Sequence, residues 1–425
     1  MAKNIIMKSI FTLLISIFLI NQAFSQSGWQ LRPSGTNVIL FGVSVSKVDP
    51  NYANAVGEAG KILGSFDGGK SWYTQNNNLN YWLNDVHTVD QFTAVAVGFQ
   101  AGDEIGKILR TTNGGVNWYP QWSNFLHTLC GVSFPNPYVG ITVGWFGTIL
   151  RTTDGGEKWW RQNVNTGYNL YDVEFVNEQT GFIVGALGTM LKTTNAGENW
   201  FNLDPPDTNS INGISFCDPL HGAAVGVQGY IITTEDGGET WVRRQSWTLN
   251  DLQGVFVSNP YTITAVGNGS TVLRSNNGGY SFTWQENPVQ NITYYGVHFY
   301  NAYFGLAVGG NGKIIRTVSG GGDSSQVIGI NNISNEIPNS INLYQNYPNP
   351  FNPVTTISFD IPQRSFVSLK VFDMLGREVA LLVNQDLNAG KWDYDWEAKG
   401  VSSGIYLYQL NVNGSVQTKR MILTK

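Results

Sequence analysis

Apolar and polar positions alternate along this chain in short runs that never settle into a helical period, and glycine-rich turns separate the runs. Between residues 129 and 163 four of them follow one another, "LCGVSFPN", "VGITVGW", "GTILRTT" and "KWWRQN". The pattern predicts four short antiparallel strands. The same unit then recurs. Aligned on the Asp or Asn of its turn it falls at Asp67, Asn113, Asp154, Asn195, Asp236, Asn277 and, in degenerate form, Ser319, at spacings of 46, 41, 41, 41, 41 and 42 residues. A "VG" landmark stands about ten residues before each turn, and a "GVxF"-like one some ten residues earlier still. One four-stranded unit used seven times predicts a closed, seven-bladed β-propeller over residues 26–318. A kelch repeat would be longer, and the Gly-His and Trp-Asp pairs of WD40 repeats are missing.

The two ends of this region complement each other. The seventh unit stops at "AVGGNGKIIRTVSGGG" without its Trp or its fourth strand, while "GWQ" at residues 28–30 directly precedes the first strand of unit one. The N-terminal strand is therefore expected to complete blade seven and remove an exposed sheet edge.

The turn itself, "TTDGGEKW" in unit three, reads as a structural device. Asp154 is expected to accept backbone N–H groups one and two residues on, as in an Asx-turn. Gly155 and Gly156 supply positive φ, the Thr152 hydroxyl caps the turn, and Trp159 lays a ring beneath it. Trp72, Trp118, Trp200 and Trp241 hold the same place in other copies. Asn replaces Asp at 113, 195 and 277, and an amide cannot serve as a general acid or base. A shape-holding role follows for Asp67, Asp154 and Asp236.

The pattern Ser/Thr-x-Asp-x-Gly-x-x-Trp, strict at residues 65–72, 152–159 and 234–241, resembles the Asp box of sialidases and related propellers. The whole unit, "VGxxGxILRTTDGGxxW", is similar to the repeat of the photosystem II assembly factor (Ycf48-like) propellers over residues 27–322. That resemblance implies a propeller with a non-catalytic binding role. A basic residue precedes the turn at Arg110, Arg151, Lys192, Arg274 and Arg316, with Gly64 and Thr233 interrupting the series. It is expected to stack on blade tryptophans or pair locally, with binding of an acidic partner as the alternative.

Past residue 318 the composition turns to Gly, Ser and Asn without period, which reads as a linker over residues 319–340. Residues 341–425 then show five alternating runs, "TTISFDI", "FVSLKVFD", "KWDYDW", "GIYLYQLNV" and "QTKRMILT", suggesting a small immunoglobulin-like β-sandwich. "YPNPFNP" at 347–353, "VFDMLGREV" at 371–379, "SSGIYLYQL" at 402–410 and the final "KRMILTK" resemble the type A C-terminal sorting domain of the type IX (Por) secretion system. The resemblance implies that residues 341–425 engage the type IX machinery, with release or surface attachment afterwards.

Composition sharpens this picture. Lys3 and Lys8, an apolar run at 10–20, and Ala23 and Ser25 before Gln26 make residues 1–25 a secretory signal peptide. Its removal takes the formal charge from −5 to −7, a poor match for nucleic acid or anionic membranes, and leaves no expected membrane span. Cys130 and Cys217 fall at different places in their repeats, so no disulfide is expected. His87, His127, His221 and His298 form no metal-ligand spacing, and neither metal nor cofactor is expected. Asp85, His87, Asp172, Glu174 and His298 lie on first strands and are expected to meet at the axis, where Asp172 and Glu174 on one strand raise a glycoside hydrolase or lyase-like alternative.

The leading expectation is a secreted or surface-attached, non-catalytic binding module for an extracellular protein or glycan. Asp-box turns share one face. The "VGxxG" loops and blade connections share the other, where the copies diverge and aromatic residues accumulate: Tyr81, Trp82, Trp145, Phe146, Tyr168, Trp247 and Tyr294, with Phe125 and His127 beside them. These are the candidate ligand contacts.

Overall fold

A computed structural model describes residues 28–424 except 76–78, 122–126, 165, 322–329, 335–337, 364, 388 and 399–400; residues 1–25, expected to be a signal peptide, and Phe125 lie outside the described residues. Seven antiparallel four-stranded sheets follow the seven repeats. Blade three, for example, runs Leu129–Ser133, Gly140–Gly144, Thr148–Thr152 and Trp160–Arg161. Blade seven takes Tyr294–Phe299, Gly305–Gly309 and Ile314–Thr317 from the end of the propeller and Trp29–Arg32 from its start, with Trp29 opposite Thr317 and Arg32 opposite Ile314. The ring closes as the truncated seventh repeat predicts.

The core lies between blades. Val56 and Ile62 of blade one, for instance, pack with Leu83, Val86, Ala96 and Leu109 of blade two around Trp118, and the same arrangement joins each neighbouring pair. Alternation feeds both sides of every sheet, so a strand buried on two faces reads as the near-continuous "AVAVG" of the second strands. The glycine of the "VG" landmark has a steric cause. A Cβ on Gly57, Gly98 or Gly144 would lie 2.0, 1.9 or 2.1 Å from the carbonyl oxygen of Ile39, Trp82 or Thr128, where the chain enters the blade.

All seven first strands carry a register shift at one equivalent position: Phe41, Asn84, Cys130, Tyr171, Asn212, Gln253 and Tyr295. A bulge breaks the two-residue alternation, so consecutive side chains turn to one side. Here that side is the axis.

Residues beyond the propeller form two four-stranded sheets. One orders Ile330–Ser334, Gly390–Glu397, Val354–Ile361 and Asn342–Leu343; the other orders Glu378–Leu387, Ser365–Asp373, Gly404–Val412 and Ser415–Leu423. Ile357, Phe359, Leu369, Tyr408 and Leu410 are among the residues filling the core. Two features depart from the sequence reading. Residues 330–334, read as linker, pair with Gly390–Glu397 as an edge strand. Glu378–Leu387 is an additional strand, and its unbroken "VALLV" hides the alternation because its register shifts near Ala380 and Leu381.

Candidate functional site

The Asp-box face is held by one hydrogen-bond pattern repeated round the ring. In blade three the Thr152 hydroxyl donates to Asp154 Oδ1 at 2.8 Å and accepts the Gly156 N–H at 3.0 Å, while Asp154 Oδ1 accepts the N–H groups of Glu157 and Lys158 at 3.1 and 3.0 Å. The acceptor therefore spans three and four residues, not the one and two of an Asx-turn. Gly155 and Gly156 take φ of 73° and 92°, and Trp159 is buried with its indole N–H donated to the Gly156 carbonyl. Asn repeats the geometry: Asn113, Asn195 and Asn277 each accept the N–H four residues on, at 3.0, 3.0 and 2.9 Å, as Asp67 and Asp236 do at 2.9 Å. Burial alone would raise Asp154, but the Lys158 N–H and Thr152 hydroxyl outweigh it and hold the carboxylate below its usual range. Trp72, Trp118 and Trp241 are buried likewise, and Trp200 is half-buried.

The basic residue before each turn grips the following blade. Arg151 Nε donates to the Ala196 carbonyl, Lys192 Nζ to Gly237, Arg316 Nε to Gly68 and Arg274 Nη2 to Ala302, at 2.6 to 2.9 Å. Local pairing is thus right, but the rings met by Lys192, Arg274 and Arg316 are Phe182, Phe299 and Phe304 rather than tryptophans. Where the series breaks, strand four takes over. Gln75 fills the space above Gly64 and donates to the Gly114 carbonyl in the next blade's turn. Arg244, at the equivalent place, bonds Thr233 and lies 4.1 Å from the Tyr280 ring.

The axis holds a polar channel of about 280 Å³, and the five titratable residues expected there do line it, with Lys47. Their polar atoms join neighbouring blades. Asp85 Oδ2 accepts the Val132 N–H and Asp172 Oδ2 the Ile214 N–H, both at 2.9 Å, and each carboxylate also accepts the N–H of its own next residue. One step along, Ser44, Ser133, Glu174, Ser215 and His298 accept N–H groups from Thr88, Phe175, Phe216, Val257 and Val45. His298 accepts through Nδ1, which puts its proton on Nε2.

Though each of these groups keeps some surface on the channel, the seven blades enclose them and burial dominates their titration. Asp85 is pushed up to about 8 by burial and then by nearby Asp172, and Asp172 to about 6 by burial. Burial lifts Glu174 to about 7 against the pull of Lys47. His87 and His298 fall to about 3, through burial first and Lys47 next. Burial also pushes the Cys130 thiol up to about 12, leaving it inert at neutral pH.

At the loop face the bulged residues open the channel into an aromatic mouth. Tyr295 and Phe41 meet at 5.1 Å between ring centres, Phe41 and Trp82 at 6.3 Å, and Trp82 and Phe99 at 5.7 Å. The sequence reading named only Trp82 of these four. Aligning the bulged position of every first strand would have found Phe41, Tyr171 and Tyr295. Trp82 is partly open and Tyr81 and Trp145 are half-buried, with Lys107 over the Tyr81 ring. Phe146 (φ 54°), Tyr168 and Trp247 (φ 59°, 75% exposed) project from their loops, and His127 lies 4.8 Å from the Phe146 ring. Tyr294 must be corrected: it is fully buried, starts the inner strand of blade seven and donates its hydroxyl to Asn287. Its position is that of Leu40 and Leu83, a core position in every blade.

Sheet order, ring closure and repeated Asp boxes define a seven-bladed Asp-box β-propeller with a C-terminal β-sandwich. The propeller is Ycf48-like and the chain ends in a secretion system C-terminal sorting domain: residues 117–205 match the photosynthesis system II assembly factor YCF48 family, and residues 345–424 match the sorting-domain family. YCF48 from Cyanidioschyzon merolae is 20% identical, covering 68% of this chain and 98% of its own, with a TM-score of 0.57. YCF48 bound to D1 peptide is 17% identical over 68% and 97%, also at 0.57. The GH74 xyloglucanase from Xanthomonas campestris is 12% identical over 78% of this chain and 59% of its own, at 0.56. No curated protein matches the sequence. Among the described residues no helix is long and apolar enough to cross a membrane, and no group of three or more His, Cys, Asp or Glu side chains could hold a metal ion.

Proposed function

We propose that this protein is an exported, non-catalytic binding scaffold whose partner docks on the aromatic mouth of the loop face. The observation that carries the reading is the run of rings from Tyr295 through Phe41 and Trp82 to Phe99, set on a rigid ring and open to solvent at Trp82. Large apolar surface so placed suits an anchoring side chain or a sugar face. That a YCF48 propeller of the same fold binds a peptide supports a polypeptide partner.

The axial carboxylates argue against catalysis. Asp172 and Glu174 each spend an oxygen on a backbone N–H of blade five, so they serve as ties between blades. Incubation with soluble polysaccharides should release no reducing sugar, from the wild type or from the Asp172→Asn/Glu174→Gln variant. Release by the wild type alone would restore the glycosidase reading.

The partner reading is tested by crosslinking pull-down from the cell envelope with Trp82→Ala and Phe41→Ala, which should lose the wild type's partners. Retention of the same partners would refute the mouth. We further propose the route: Sec export directed by residues 1–25, folding of the propeller from 26 to 318, and type IX transport through the sorting domain to the surface or medium. A chain ending at residue 340 should be folded and held in the periplasm, and its appearance outside the cell at normal levels would exclude this route.

A further inference from the structure

The outer rim of the propeller carries a second repeated arrangement, distinct from the mouth. On the outermost strands Tyr119 lies opposite Arg110, Trp160 opposite Arg151 and Phe201 opposite Lys192. Directly opposed residues of an antiparallel pair project from one face of the sheet. From that face each cation reaches the next blade's turn, at 3.7 Å from Glu157, 3.5 Å from Glu198 and 3.1 Å from Glu239. Ring, cation and carboxylate thus gather at three consecutive blade junctions.

A purely structural account covers the ion pairs but not the rings. Arg274 and Arg316 also reach backbone carbonyls of the next blade, but the residues opposite them on the outermost strand are Thr283 and Gln30, and the rings they meet, Phe299 and Phe304, lie elsewhere. An outer-strand ring opposite the cation and a glutamate on the next turn appear together in blades two to four, whereas between blades five and six Arg244, Glu235 and Tyr280 form a trio of different construction. Tyr119, Trp160 and Phe201 remain 59%, 56% and 46% exposed, so their burial contributes little to folding, and three such residues in register form a surface feature rather than a scatter.

Which part of each trio is accessible decides the ligand chemistry. The cation is mostly covered, whereas the carboxylate and the ring face solvent. A carboxylate already neutralised by its cation gives a basic ligand little net charge to meet, while the exposed oxygens repel an acidic one. Hydroxyl groups suit it, and the flat ring suits the C–H face of a pyranose. Three copies on a rigid ring favour a polymer of repeating units through effective concentration.

We propose that the rim of blades two to four binds a neutral polysaccharide, with Tyr119, Trp160 and Phe201 stacking on sugar rings and Glu157, Glu198 and Glu239 accepting hydroxyl hydrogens. This surface is separate from the mouth and stands or falls independently of it. The test is native gel retardation of the full-length protein in gels containing soluble xyloglucan, galactomannan or laminarin, with alginate as the acidic control.

At least one neutral polymer should retard the wild type and alginate should not. Trp160→Ala should weaken retardation several-fold, and the Tyr119→Ala/Trp160→Ala/Phe201→Ala variant should lose it by about 100-fold or more, the scale of avidity from linked sites. Trp82→Ala at the mouth should retain it. Should the triple variant fold poorly, protection of Trp160 in the wild type from N-bromosuccinimide oxidation by the retarding polymer gives the same answer by peptide mass spectrometry. Absence of retardation by all three neutral polymers, retardation undiminished in a folded triple variant, or an unprotected Trp160 would each overturn the proposal.

Discussion

The two faces of this propeller are built from the same seven repeats and have different freedoms. On the Asp-box face a hydroxyl, a carboxylate or amide and two glycines satisfy one another's hydrogen bonds, and the basic side chains lock each turn to its neighbour. A change there leaves a buried donor unmatched. On the loop face, residues at one position of the loop include Ala59, Phe146, Leu187, Gln228 and Asn311, all held at positive φ and projecting away from the sheet. There the backbone fixes direction while side-chain identity is free. One repeat can therefore keep its shape on one side and vary its chemistry on the other.

The largest expected effect abolishes the comparison, because both faces depend on closure. Trp29→Ala should lower stability by about 3 to 5 kcal/mol, as truncation of a buried Trp does, in one cooperative transition measured by denaturant unfolding. A loss confined to part of the signal would mean that the blades unfold separately. Next, Thr152→Ala removes the acceptor of the Gly156 N–H and should cost about 1 to 3 kcal/mol, whereas Asp154→Asn should stay within about 0.5 kcal/mol. Equal losses from both would contradict the equivalence of Asp and Asn in these turns. Asp154 is depressed in the fold, so its contribution is present above its unfolded value and fades as acid protonates it. The Asn variant should lack that dependence.

The channel separates the faces and has its own pH signature. His87 and His298 are held neutral down to about 3, so the folded state binds fewer protons than the unfolded chain below pH 6.5, and the pair lowers stability as pH falls through that window. Asp85, Asp172 and Glu174, raised to about 8, 6 and 7, act in the opposite sense and lower stability as pH rises from about 4 towards those values. His87→Ser/His298→Ser, which installs the residue found at this position in blades one, three and five, should gain stability relative to wild type at pH 5 compared with pH 8. An unchanged difference between the two pH values would show that the histidines are solvated. The smallest stability effect belongs to the loop face. Trp82→Ala should shift unfolding by under about 1 kcal/mol, near the range of surface substitutions, while partner binding falls several-fold. A loss of several kcal/mol would make Trp82 part of the core and erase the distinction between the faces.

The repeat, the turn and the closing strand were legible in the sequence because each is local or periodic: a Gly-Gly turn, a 41-residue spacing, a missing Trp at one end and a spare one at the other. The axial residues were legible for the same reason, once first strands were known to line the centre. What escaped depends on register. The bulge that turns Phe41, Tyr171 and Tyr295 to the axis is invisible to a two-residue period, and without it Tyr294, one residue earlier, reads as a surface ring although it points into the core. Gln75 and Arg244 replace absent basic residues from a different strand, a compensation that only the cross-strand geometry reveals.

The closing strand bears on the proposed export route. Trp29 and Thr317 are neighbours in the sheet but nearly the whole propeller separates them along the chain, so this contact has among the longest loops to close and forms late. On the proposed export route, a polypeptide threaded amino end first delivers Trp29 at the start and its partner strand close to the end of the propeller. Until then blade seven lacks the partner for its closing strand. On the proposed route, ring closure would therefore wait for the last repeat, shortly before the sorting domain.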